Sequence, residues 1–257
     1  MTFPVLNRLI VAVGLCLGLG LAVPAAAIDI DDMSDAERAA FRSEIRAYLL
    51  ENPEVLMEAI AVLESRQNAA EQEAAMMAVA ANSEALFNSA FDYVGGNPDG
   101  DIVMVEFLDY RCSFCRRAHP EVAELVESDG NIRVIVKEFP ILGEQSVLAS
   151  QFAIATRIAL GDEAYALVSD ALMTMRSDVT EPALAALAQD NGLDPAPILA
   201  AMDDPLVAQT IEYNRALAQR LGISGTPSFV FEDQLVPGYV PLDGMIEIVA
   251  NLRATAP

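Results

Sequence analysis

Cys112-Ser113-Phe114-Cys115 places two thiols two residues apart. If Cys112 opens a helix, its sulfur lies among unpaired backbone N–H groups at the positive end of the helix dipole, which stabilises the thiolate. One helical turn then brings the second sulfur within disulfide distance of the first. The spacing suits thiol–disulfide exchange, with Cys112 as nucleophile and Cys115 releasing the mixed disulfide. Ser113 and Phe114 carry no charge, so they tune the pair without an ionic contribution of their own.

Other uses of the same thiols are open. A structural disulfide would close so short a loop that it constrains little of the unfolded chain. Zinc would find three soft ligands, counting the sole histidine, His119, where a closed site needs four. Cu(I) suits a thiolate pair in a chain with ten methionines. Most of these methionines fall at helical spacings, where a core role is commoner. The alternative to an enzyme is therefore a Cu(I)-binding exported protein that uses the thiols as ligands. The favoured reading needs no metal and no cofactor.

Positioning the pair requires a strand before it and a helix after it. Ile102 to Leu108 is a short apolar run with β-branched residues, read as a buried strand. The helix from Cys112 runs towards Ser128, and Ile132 to Val136 is a second strand. From about 144 to 220 the pattern is helical, broken at Gly161, Thr180-Glu181-Pro182, Gly192 to Pro195 and Asp204-Pro205. Ser228 to Phe231 with Gln234 to Val236 reads as a hairpin, and Leu242 to Leu252 as a closing helix. This order predicts an α/β architecture, a four- or five-stranded sheet with a helical insertion.

Upstream, Met33 to Asn88 reads as helix. Ser34 with Glu37 has capping-box spacing, and Asn52-Pro53 restarts the pattern with Asn52 as N-cap. Leu56, Leu63, Ala70 and Met77 recur every seventh residue, with Ile60, Gln67, Ala74 and Ala81 between them. Two uses fit: a helix folded onto its own domain, or a stalk that joins copies of the chain. Gly95-Gly96-Asn97-Pro98-Asp99-Gly100 is the strongest break, and the domain boundary is expected there. The expected parts are residues 1–27, 28–94 and 95–257.

Residues 1–27 have the form of an export signal. Arg8 precedes an apolar run of about 15 residues, short of the roughly 20 that span a bilayer. Pro24 and Ala25-Ala26-Ala27 follow as a cleavage site near Ala27, implying a periplasmic location; an uncleaved membrane anchor is the alternative. Cys16 leaves with the signal, so the exported chain keeps only the Cys112–Cys115 pair, in an oxidising compartment. Acidic residues outnumber basic ones 38 to 15. That balance argues against nucleic acid and anionic membrane surfaces as partners.

Further residues resemble the thioredoxin superfamily, and within it the DsbA-like exported oxidoreductases. Pro120 falls five residues after Cys115, Glu106 six before Cys112, and Gly225-Thr226-Pro227 leads into Ser-Phe-Val-Phe. The resemblance covers about 92–253. It implies a thioredoxin-like fold with a helical insertion, preceded by an N-terminal helical extension. It also implies a kink at Pro120 and a cis bond before Pro227. Glu106 would be buried and take the proton of Cys115. A competing role for Glu106 is a pairing with Lys137. Ser113, Phe114, Thr226 and Pro227 would contact substrate, and His119 would pack or face solvent.

Phe41 to Glu58, around Tyr48-Leu49-Leu50-Glu51-Asn52-Pro53, is similar to the N-terminal extension of copper-sensitivity suppressor proteins of type C. That likeness implies a homo-oligomer through residues 33–88 and disulfide isomerisation. Substrates would be unfolded or misbridged secreted proteins, and a membrane redox partner would reset the pair. Ser113-Phe114 is neither Pro-His nor Gly-Pro, and Thr226 stands where DsbA has Val. Both departures point away from a pure oxidase.

Overall fold

The computed structural model describes residues 32–255. The expected signal, residues 1–27, and its cleavage near Ala27 lie outside the described residues. The chain divides into two compact units between Leu63 and Glu64.

The first unit holds helix α1 (Asp35–Glu51) and the start of α2 (Glu54–Ala81). Ser34 and Glu37 form the expected capping box, satisfying two backbone N–H groups at the helix start. Asn52 behaves differently from expectation. It closes α1 instead of opening α2, its side-chain amide donating to the Tyr48 carbonyl at 2.9 Å. The Asn52 backbone N–H donates to the same carbonyl at 2.8 Å, so main chain and side chain together close the helix. No side chain of α1 is buried.

The second unit is built on a five-stranded sheet in the order β1-β3-β2-β4-β5. Its strands are β1 (Tyr93–Gly96), β2 (Ile102–Leu108), β3 (Ile132–Glu138), β4 (Ser228–Phe231) and β5 (Gln234–Pro237). Strand β2 runs parallel to β3 and antiparallel to β4. Helix α4 (Ser113–Asp129) makes the parallel crossover, and α5 (Glu144–Leu160), α6 (Asp162–Thr174), α7 (Glu181–Asp190), α8 (Pro195–Ala201) and α9 (Pro205–Arg220) fill the expected insertion. Thr180, Asp194 and Asp204 cap the last three of these helices. Helix α10 (Leu242–Thr255) packs beside α4.

Alternation along the strands sorts two cores. Met104, Leu108, Val134, Val136 and Phe229 face α4 to α8 and α10. Val105, Phe107, Ile135 and Val230 face the other way, against Leu217 and Leu221 at the end of α9, Val79 of α2 and Leu86 of α3 (Ser83–Phe87).

The expected boundary at Gly95-Gly96 falls inside this unit. Tyr93 to Gly96 pair antiparallel with Val136 to Arg133, and the sheet adds a strand where a turn was expected. Glycine is required at 96: φ is +68°, and a Cβ there would collide with the Ile132 carbonyl oxygen. The glycines that read as a break are thus the form of a close edge pairing. Asp92, just before β1, is ion-paired with Lys137 of β3, both fully withdrawn from solvent. Segments upstream of the expected boundary therefore belong to the sheet unit.

Candidate functional site

Strand β2 ends at Leu108, and Asp109 turns the chain into α4. Its carboxylate accepts from the N–H groups of Arg111 (2.8 Å), Ile141 (2.8 Å) and Leu142 (3.1 Å). Its carbonyl accepts from the Cys112 N–H at 3.0 Å. Cys112 is the N-cap of α4, and Cys115 lies in the first turn with no exposure to solvent. Both are free thiols. Pro120 lies inside α4 as expected, and it removes one backbone donor from the helix ladder.

The two thiols differ sharply in acidity. Cys112 is pushed down from 9.0 to about 5. A hydrogen bond from the Cys115 thiol is the largest cause, and burial works against it. The Thr226 hydroxyl and the backbone N–H groups of Cys115 and Phe114 support the thiolate further. Cys115 is pushed far up, chiefly by donating that bond and by burial, with the charges of Cys112 and Glu106 adding to both. When protonated, the Cys112 thiol donates to the Thr226 carbonyl at 3.1 Å. Thr226–Pro227 is a cis peptide bond at the mouth of β4. The structure thus brings Cys112, Cys115, Thr226 and Pro227 together from positions more than a hundred residues apart.

Phe114 is exposed beside the pair and stacks on Tyr239, ring centroids 6.3 Å apart. Ser113 is exposed at the first helical position.

Glu106 is buried on the α4 face of β2, and its Oε1 has no hydrogen-bond partner. Burial pushes its carboxyl from 4.5 up to about 7, partly offset by His119. The alternative pairing with Lys137 is not formed. Glu106 lies opposite Val136 in the register and Lys137 opposite Phe107, so strand alternation sends them to opposite faces. Lys137 instead donates to Asp92 and to the Ala85 carbonyl, the latter at 2.6 Å. Glu106 and His119 both line a cavity of about 310 Å³ between α4, α6 and the sheet. His119 is half-buried, 2.9 Å from Asp170.

A further buried carboxyl, not expected from the sequence, lies nearby. Glu138, at the end of β3, accepts from Tyr110 (2.6 Å), Tyr165 (2.7 Å) and Ser150 (2.7 Å). Burial pushes it to about 7 in spite of the three donors. The network ties the turn that carries Cys112 to α5 and α6. Its members come from four separate segments, so no local spacing announces it. Among the described residues, no group of three or more His, Cys, Asp and Glu side chains is arranged to hold a metal ion.

The DSBA-like thioredoxin domain matches residues 103–250, and the copper resistance protein ScsC N-terminal domain matches residues 37–70. A thioredoxin-like oxidoreductase from Silicibacter pomeroyi DSS-3 is 43% identical, with 68% of this chain and 99% of that chain covered and a TM-score of 0.63. ScsC of Proteus mirabilis in a transitional conformation is 29% identical over 87% of this chain and 100% of its own, with a TM-score of 0.64. A periplasmic thioredoxin-like protein from Salmonella enterica serovar Typhimurium is 31% identical, covering 67% and 96%, with a TM-score of 0.61. The chain spans about a quarter of the length of the curated relatives it matches. The Na(+)/H(+) antiporter NhaA of Herminiimonas arsenicoxydans is 25% identical over 57% of this chain and 23% of the antiporter. Among the described residues no helix is long and apolar enough to cross a membrane. Since the DSBA-like domain matches more than half its length, the chain belongs to the DsbA-like thiol–disulfide oxidoreductase family, and an ScsC-type N-terminal domain precedes that fold.

Proposed function

We propose that this chain is an exported, periplasmic enzyme that rearranges disulfides in secreted proteins, with isomerisation favoured over net oxidation. The observation that carries the reading is the opposed acidity of the two thiols, Cys112 held down to about 5 and Cys115 held up. At neutral pH the Cys112 thiolate attacks a substrate disulfide. The substrate S–S bond breaks, one substrate sulfur leaves with the electron pair and takes a proton, and Cys112 is left in a mixed disulfide. If the released substrate thiolate attacks elsewhere in its own chain and then displaces Cys112, a disulfide has moved with no net oxidation. If Cys115 attacks first, its proton passes to Glu106, whose affinity near pH 7 suits a general base. The substrate then leaves reduced, and a membrane redox partner resets the pair. Ser113, Phe114, Thr226 and Pro227 form the rim against which substrate backbone lies.

Three things support isomerisation. The intervening Ser113-Phe114 pair is neutral, Thr226 supports the thiolate, and the extension presents an uncovered apolar face. Phe41, Ile45, Tyr48, Leu56, Ile60 and Leu63 are all exposed, a composition suited to packing against further copies of the chain. Export is supported by residues 1–27 and by the periplasmic description of the similar Salmonella protein.

The test is reactivation of a scrambled, multi-disulfide ribonuclease by the exported chain in glutathione buffer. Reactivation should vanish in Cys112→Ser, while Cys115→Ser should accumulate mixed disulfides with substrate. A Cys115→Ser protein that forms no adducts would refute the division of labour between the thiols. Replacing Leu56, Ile60 and Leu63 by glutamate should reduce sedimentation to that of a monomer and lower shuffling while simple thiol exchange persists. An unchanged oligomeric state would remove the role given to the extension.

A further inference from the structure

Away from the thiols, four basic side chains of the sheet unit are ion-paired with neighbouring acids, while Arg133 and Arg220 hydrogen-bond to the Phe87 carbonyl and the Asn82 side chain instead. Lys137 is paired with Asp92, Arg157 with Asp162, Arg215 with Glu212, and Arg253 with Asp101 and Asp129. Beside Cys112 three guanidinium groups gather without an acid paired to them. Arg111 donates from Nη1 to the Ser177 carbonyl at 3.1 Å, which seats it against the loop that carries Arg176. Arg116 donates from Nε to the Tyr110 carbonyl at 2.7 Å, and its Nη2 is buried with no hydrogen-bond partner. Among the described residues none of these three guanidinium groups has an ion-pair partner. They are near enough to act on one another: Arg111 and Arg176 both disfavour the charge on Arg116, and Cys112 and Asp109 favour it.

The neighbouring acids are engaged elsewhere. Asp109 is bound to three backbone N–H groups, Asp170 faces His119, and Asp178 accepts from Gln145 at 3.4 Å. On the other flank Arg117 lies 4.5 Å over the Tyr239 ring, whose hydroxyl donates to Glu121. That side therefore has its own counter-charge. In a chain with 38 acids and 15 bases, Arg111 and Arg116 flank the cysteine pair and Arg176 acts on Arg116 from the adjoining loop, so positive charge gathers at this end of α4 without a paired acid. A planar guanidinium favours carboxylate, which it can grip through two N–H donors at once.

We propose that Arg111 and Arg176, with the charge of Arg116 behind them, form a carboxylate-binding subsite that receives an Asp or Glu side chain adjacent to the reacting cysteine of the substrate polypeptide. The proposal rests on the thiol-exchange reading and adds a sequence preference to it. The remaining acidic surface repels polyanions at a distance, so the subsite selects one well-placed acid and not an acidic tract.

The experiment uses the oxidised full chain and single-cysteine peptides. The peptide thiolate attacks Cys112 Sγ, the Cys112–Cys115 bond breaks, and Cys115 leaves with the electron pair and takes a proton. Mixed disulfide is quenched in acid and counted by mass spectrometry. Three peptides of equal length are compared: two Glu beside the cysteine, the same two Glu six residues away, and Gln at every one of these positions. Adjacent carboxylates raise the peptide thiol's own pKa and slow it in free solution, so a preference for them runs against the intrinsic trend. The adjacent-Glu peptide should react about threefold to fivefold faster than the distal-Glu peptide. That ratio should fall to one or below in the Arg111→Gln, Arg176→Gln double variant, where only the intrinsic slowing remains, and persist in Arg220→Gln. Equal rates for the two acidic peptides in the wild type, or a ratio that survives the double variant, overturns the subsite. If the Gln peptide reacts and the ratio is one, the subsite alone falls. If no peptide forms a mixed disulfide, the thiol-exchange reading falls and the subsite with it.

Discussion

Replacing Glu106 by glutamine should make the folded protein more stable and the enzyme slower. Glutamine has nearly the shape of a protonated carboxyl, so the substitution removes the charge and leaves the packing. The carboxyl lies at about 7 in the fold against 4.5 ordinarily, because burial disfavours its ionised form. Below pH 4.5 it is protonated in both folded and unfolded chains and contributes no difference. As pH rises from 4.5 through 7 the unfolded chain gives up its proton first, and stability is lost; above 7 the loss is complete. At about 1.4 kcal/mol per pK unit this amounts to about 3 kcal/mol. Urea titrations of both proteins, reduced, at pH 4.5 and pH 8 measure it. Other titrating groups, Glu138 included, cancel in the difference between the two proteins. Glu106→Gln should match the wild type at pH 4.5 and exceed it by about 3 kcal/mol at pH 8. The same variant should resolve mixed disulfides about 100-fold more slowly at pH 7, with no inflection there. A stability difference that does not change between the two pH values would refute the buried, ionising Glu106 on which the proton step depends.

Two further outcomes follow from groups described above. The rate of Cys112 alkylation should rise with a midpoint near pH 5, and in Cys115→Ala that midpoint should move up, since the largest support of the thiolate is removed; a wild-type midpoint above 7 would contradict the site geometry. Lys137→Met leaves Asp92 buried without its cation and should cost about 3–5 kcal/mol in urea unfolding, most of it recovered by adding Asp92→Asn.

The site was legible because its chemistry is local. Cys112 and Cys115 share a helical turn, the strands on either side of α4 are plain apolar runs, and Thr180, Asp194 and Asp204 mark helix starts inside the insertion. What escaped depends on pairing across distance. Strand β1 is short, sits at the sheet edge and ends in two glycines, so its own residues read as a turn; only β3 makes it a strand. Glu106 and Lys137 looked able to pair until the register put them on opposite faces. The Glu138 network draws on Tyr110, Ser150 and Tyr165 from separate elements. The arginine cluster left a partial trace, since Arg111, Arg116 and Arg117 bracket the cysteine pair in a chain poor in bases. Arg176 joins them only through the fold.

Lys137 is the sole lysine of the sequence, and the fold encloses it completely. Amine-directed reagents, whether acylating labels or lysine-specific cross-linkers, therefore have no side-chain target on the native sheet unit. Acylation at Lys137 itself becomes a reporter of global opening, with each modified molecule marking one that had come apart.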